Sequence, residues 1–171
     1  MAIASPMKKF SPWLLSIFIA FVFVQSLFFK FTDAPETQHI FGTLNQWGAD
    51  VLGIEGLFLA PGLFNQYVIG TAELVAALLL IGGLVTKFKF LNPLGALLAL
   101  GVISGAIFFH LFTPLGIEVQ GDGGALFGMA VGIWLSSLIL IWRGRDLLCT
   151  TLCKIKTCPM SCKISCKSKS D

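Results

Sequence analysis

The chain has 171 residues, 56% of them hydrophobic and only 12% charged, with a formal net charge of +3 and a mean hydropathy of +0.85. Soluble domains carry about 25% charged residues, and half that complement cannot cover a water-exposed globule of this size. A disordered chain, a collagen-like chain and a free nucleic-acid binder are excluded. The expected fold class is an all-α membrane protein, a four-helix transmembrane bundle running up-down-up-down.

In chain order, residues 1–9 form a basic N-terminus ending in Lys8 and Lys9, and the uncharged stretch Phe10 to Phe29 separates Lys9 from Lys30. A helix needs roughly 20 apolar residues to cross about 30 Å of hydrocarbon, so the first span is placed at about 10–30. The stretch is longer than a signal-peptide core and no small-x-small site follows it closely, which predicts a retained helix. The next loop, 31–66, places Phe41, Leu44, Trp47, Val51 and Leu52 at roughly helical spacing. This segment reads either as an interfacial helix with Trp47 at the headgroups or as a lid over an outward-facing cavity. Gly53, Gly56, Pro61 and Gly62 then break the helix and return the chain to the membrane.

The second span, about 67–86, carries one charge, Glu73, and the short turn Lys87 to Asn92 predicts an adjacent antiparallel third span at about 93–113, whose one ionisable group is His110. The fourth span, about 123–142, is uncharged and completes the 10–142 membrane domain; a basic, Cys-rich tail occupies 143–171. All basic residues except Lys30 fall on one side of this arrangement, whereas Asp33, Glu36, Asp50, Glu55, Glu118 and Asp122 share the side of Lys30. By the positive-inside rule both termini of this multi-pass protein are cytoplasmic.

Lipid tails are as apolar as leucine, so close backbone approach through small residues must hold the helices together. Gly124, Gly128 and Gly132 in the fourth span, Gly101 and Gly105 in the third, and Gly70, Ala72, Ala76 and Ala77 in the second are the candidates. On this reading Gly128→Leu pushes the bundle apart.

Polar groups inside a bilayer are expensive and each needs a reason. Gln25 and Lys30 lie near the outer end of the first span, Glu73 roughly 9 Å inside the second and His110 roughly 5–6 Å inside the third, at 1.5 Å per helical residue; Asp122 opens the fourth. Two readings stand side by side. One is an ion-pair cluster in which Lys30 and Glu73, with His110, satisfy one another. The other is an outward-facing polar pocket for a proton, a headgroup or a redox molecule such as a quinone, with His110 as a proton carrier. Lys30 snorkelling alone is a third. No polar residue is expected to line the cytoplasmic half of any span, which weighs against a continuous pore.

Three stretches carry a family resemblance: Ser26-Leu27-Phe28-Phe29-Lys30-Phe31-Thr32 with Ala34-Pro35-Glu36; Gly70-Thr71-Ala72-Glu73-Leu74; and Gly95 to Gly101 followed by Gly105-Ala106-Ile107, His110-Leu111, Leu115 to Val119 and Gly121 to Gly124. Together, over about residues 12 to 142, they resemble the DoxX-like family of small bacterial inner-membrane proteins. The resemblance implies a four-helix membrane bundle. Proteins similar to this family include a membrane subunit linked to thiosulfate oxidation with quinone as acceptor, and others associated with oxidative stress or thiol homeostasis. The matched polar positions are Lys30, Glu73, His110, Glu118, Asp122 and Gly123; no catalytic set is transferred, and no catalytic activity of its own is expected for the chain.

All five cysteines, Cys149, Cys153, Cys158, Cys162 and Cys166, lie in the last 23 residues. Their spacing is not that of zinc ribbons, and a cytoplasmic tail keeps thiols reduced. A basic headgroup-binding tail with incidental cysteines, a soft-metal site such as Cu(I) and a redox or acylated segment remain open. The functional expectation is an accessory, quinone- or thiol-linked component of a redox or sulfur pathway. Its expected partners are the lipid bilayer, a membrane or periplasmic redox protein and further copies of itself, with no nucleic acid. A copper-handling membrane protein and a small carrier are the alternatives.

Overall fold

The computed structural model describes the backbone of residues 7–154 and the side chains of residues 12–150. Among the described residues there are five α-helices and no strand: α1 (Met7–Phe31), α2 (Pro35–Leu52), α3 (Gln66–Val85), α4 (Leu91–Phe112) and α5 (Ala125–Lys154). Four of these contain stretches long and apolar enough to cross a membrane: Pro12–Phe31, Gln66–Val85, Leu91–Phe112 and Ala125–Thr150. The protein is an all-helical, multi-pass membrane protein on that ground. The fourth span does not stop near Trp142 as the sequence predicts. No proline interrupts the chain between Pro114 and Pro159, so α5 continues through Arg143 and Arg145, and the segment read as a tail from 143 begins as helix.

Local chemistry sets the helix ends. Pro35 stands at the start of α2, where its missing N–H is no loss, with Glu36 in the positively polarised first turn. Gly53 ends α2 in the left-handed conformation, φ 67°, while its N–H reaches Ala49 O and that of Ile54 reaches Gly48 O. Asn65 caps α3: its Oδ1 accepts from the N–H of Tyr67 at 2.8 Å and of Val68 at 3.1 Å. Its Nδ2 donates to Gly62 O and so ties the returning loop to the helix it starts.

The four spanning helices form a ring in which α3 packs on α1 and α4, α4 on α5, and α5 more thinly on α1. Its core is Ile19, Ala20 and Phe23 of α1, Ala76, Ala77 and Leu80 of α3, Ala96, Ala99 and Ile103 of α4, and Ala130, Ile133 and Leu140 of α5. The backbones of α3 and α4 approach closely. A Cβ on Gly95 would lie 2.7 Å from Leu80 N and 2.9 Å from Ala76 O, and one on Gly83 would run into the backbone of Asn92. A Cβ on Gly144 of α5 would sit 2.5 Å from Pro93.

The small-residue expectation needs correcting in part. Ala76 and Ala77 are buried, but Gly101, Gly105 and Gly128 face open space, and Gly124 precedes α5 in a turn with φ +82°. The buried stripe of α4 runs through Asn92, Gly95, Ala96, Ala99 and Ile103. At about 3.6 residues per turn Gly101 points some 200° round from Ala99, and Gly128 as far from buried Ala130. Of the three fourth-span glycines only Gly132 meets another helix, at Phe18.

A second apolar cluster covers one end of the ring. Phe41 and Leu44 of α2, Phe58 of the returning loop, and Leu115 and Val119 of the α4–α5 loop are buried together, with Trp47, Ile69 and Phe109 against them. Phe58 stands edge-on to Phe109 at 5.2 Å, and Trp47 meets Phe109 at 6.1 Å. The apolar face of α2 from Phe41 to Trp47 is therefore spent on protein, whereas Val51 and Leu52 remain exposed.

Candidate functional site

Lys30 is the penultimate residue of α1, and its stem bends across to α3 instead of extending past the helix end. It can do so because Gly70 has no side chain: a Cβ there would lie 3.3–3.5 Å from Phe31, Leu27 and the Lys30 stem. The ammonium donates to both carboxylate oxygens of Glu73, at 2.9 and 3.0 Å, and to Ser26 Oγ one turn earlier on α1. Side-chain exposure is 15% for Lys30 and 7% for Glu73, so each charge is held by the other. Breaking such a pair from one side costs about 3–5 kcal/mol, because a charge is left buried alone.

Residues that sequence reasoning missed fix this pair. Gln66, the first residue of α3, donates from Nε2 to Lys30 O at 3.1 Å and to Asp33 Oδ1 at 2.8 Å. Asp33 also accepts, at Oδ2, from Gln38 of α2. The end of α1, the start of α3 and the first turns of α2 are thus strapped together at the Lys30 backbone, about two helical turns along α3 from Glu73. Ser26 was findable at helical spacing from Lys30. Gln66 and Asp33 were not, because their meeting depends on the path of the 53–65 loop.

The other predicted polar residues divide differently. His110 is buried, but its Nδ1 pairs with Gly116 O at 2.6 Å and its ring packs edge-on to Phe127; its hydrogen bond is to the α4–α5 loop, and the Lys30–Glu73 pair forms without it. Asp122 organises the same loop. Its Oδ1 accepts from Val119 and Gly124 N–H and its Oδ2 from Leu126 N–H, each at 2.9 Å. Those three bonds, aided by nearby His110, hold its carboxyl below the ordinary aspartate value. Gln25 and Glu118 are exposed and join neither group. Cavities of about 500 Å³ beside Tyr67, Thr71 and Leu98 and about 280 Å³ beside Trp47 and Asp50 are lined by none of the six predicted residues. The six therefore form one interhelical ion pair, one loop-binding histidine, one loop-capping aspartate and two exposed side chains.

The expectation that nothing polar lines the opposite half of the spans is overturned. Asn92, at the start of α4, donates to Ser16 Oγ of α1 at 2.8 Å and to Leu80 O of α3 at 3.0 Å. Ser136 and Ser137 of α5 are buried as well, and Ser137 Oγ has no partner among the described residues. This neutral layer is separated from Lys30 along α1 by the buried side chains of Ile19, Ala20 and Phe23, which close the interior between them.

Cys149 is half-buried on α5 and Cys153 lies one turn further along the same helix; Cys158, Cys162 and Cys166 lie outside the described residues. Among the described residues no three His, Cys, Asp or Glu side chains gather as metal ligands. No family model, no curated protein and no solved structure matches the chain.

Proposed function

We propose that the chain is a DoxX-like protein of a bacterial inner membrane, its four spans running up-down-up-down with both termini cytoplasmic. On this reading it serves as a non-catalytic, quinone- or thiol-linked component of a redox pathway. The Lys30–Glu73 pair is its working centre, facing outward beneath α2. The observation that carries the reading is the pair itself, a donor and an acceptor buried between α1 and α3 and strapped to α2 through Gln66 and Asp33. Membrane charges are retained where a ligand or proton must be handled, and a quinone headgroup takes hydrogen bonds from an ammonium and returns them to a carboxylate as quinol.

The test is purification in mild detergent followed by extraction and identification of bound quinone. Wild-type protein is expected to carry quinone in a fixed ratio, and Glu73→Gln, which keeps the shape and loses the charge, to carry much less at unchanged helical content. Equal quinone in both proteins overturns the assignment.

A second reading, soft-metal handling, is favoured by the continuity of α5, which brings Cys149 and Cys153 to one face of a helix. Copper content that is the same in wild type and in a protein with all five cysteines changed to serine would end it.

A further inference from the structure

The cavity of about 280 Å³ lies away from the ion pair, between α2 and the α4–α5 loop, and is lined by Thr43, Gln46, Trp47, Asp50, Val51 and Pro114. The α2 members stand at i, i+3, i+4, i+7 and i+8, one face of the helix. Trp47 is fixed there by its ring contacts with Phe58 and Phe109, so the indole is presented without an ordering cost. The side chains of Thr43, Gln46 and Asp50 make no hydrogen bond or ion pair among the described residues. The cavity thus offers a carboxylate, a hydroxyl and an amide beside a pre-set aromatic ring.

The surrounding charge has one sign. The two loop regions, 31–66 and 113–124, hold Asp33, Glu36, Asp50, Glu55, Glu118 and Asp122 and no lysine or arginine, and Lys30 is already paired with Glu73. A concave site in such a field concentrates cations, and an indole beside a carboxylate suits a cation with an apolar shell, which pairs with the ring quadrupole and is cheap to desolvate. We propose that this cavity binds an organic ammonium group, with Asp50 as counter-ion and Trp47 as ring partner. The group is either the ammonium of a zwitterionic lipid headgroup or a free amine of the same chemistry. The proposal is independent of the quinone reading, since it shares no residue with the Lys30–Glu73 centre.

The probe is choline, titrated calorimetrically into the full-length protein in phosphatidylglycerol nanodiscs, with 3,3-dimethyl-1-butanol as the uncharged analogue of the same shape. Saturable choline binding is expected, weakened about tenfold in Asp50→Asn and less in Trp47→Phe, with no saturable response to the alcohol. Asp50 is exposed, so its variant keeps the fold, which circular dichroism verifies. No saturable choline binding, equal response to the alcohol, or unchanged affinity in Asp50→Asn each overturns the proposal. In nanodiscs of phosphatidylcholine, whose headgroup carries the same methylated ammonium, suppressed choline binding assigns the site to the lipid headgroup and undiminished binding assigns it to a free solute. Quinone content is unaffected in Asp50→Asn, so failure here leaves the ion-pair reading standing.

Discussion

The two ends of the bundle hold their helices together by different means. At the end covered by α2, a lysine and a glutamate reach across between α1 and α3, and an aromatic cluster is built from two loops and α2. At the end of the α3–α4 turn there is no ion pair in the core among the described residues. Glycines at 83 and 95 let backbones touch, Gly144 makes room for the Pro93 ring, and one neutral amide, Asn92, joins α1, α3 and α4. Burial of leucine from lipid is nearly neutral, so each end needs something more than apolar surface. One uses a buried charge pair in which each partner offsets the other's desolvation; the other uses contact distance and neutral hydrogen bonds.

The sharpest way to break this contrast is at Glu73. Glu73→Leu leaves the Lys30 ammonium with Ser26 Oγ and no counter-charge and is expected to destabilise by about 3 kcal/mol, the low end for a broken buried pair because lysine can extend toward the headgroups. The double change Lys30→Met with Glu73→Leu should recover most of the loss. Reversible unfolding in mixed micelles measures both. A double variant as unstable as the single one would mean that contacts other than the charge hold this end.

At the opposite end Gly95→Leu drives a side chain into the α3 backbone, with an expected loss of about 1–3 kcal/mol or more. Gly128→Leu, which faces open space, should accumulate and melt as wild type does. Equal behaviour of the two in a thermal melt would remove the distinction between packed and unpacked glycines. Asn92→Ala comes next: it removes two buried hydrogen bonds and leaves Leu80 O and Ser16 Oγ short of a donor. A loss of about 1–2 kcal/mol is expected, visible as faster exchange of α1 and α4 amides near that end.

How much of this was legible in the sequence follows from what each feature depends on. The spans were readable because hydrocarbon thickness fixes their length, and Lys30 was a natural partner for Glu73 because a charge at that depth must find one. Which face of a helix a glycine occupies was not readable from a spacing of four: Gly101 and Gly105 satisfy the spacing on the wrong side of α4. Asn92 read as a turn residue, since only the close approach at Gly83 brings it inside. His110 and Asp122 sat in the right region, but each pairs with loop backbone, whose path is set by the run of positive-φ residues from Gly116 to Gly124.

That loop supplies the smallest expected effect. Asp122 accepts three backbone N–H bonds in its charged form, so its folded pKa lies below the ordinary 3.8. A depressed carboxylate contributes stability that is present in full above its unfolded pKa and is lost as pH falls through the folded value. The amide introduced by Asp122→Asn could still accept from Val119 and Gly124 at its one oxygen but would turn its own N–H₂ toward the N–H of Leu126. The wild type should therefore melt slightly above the variant from about pH 7 down to about 5, and the gap should close only as pH drops below about 4. A gap that stayed open below about pH 3, or that was absent at about pH 7, would show instead that the Asp122 carboxylate does not hold this loop and that the positive-φ backbone from Gly116 to Gly124 does so alone.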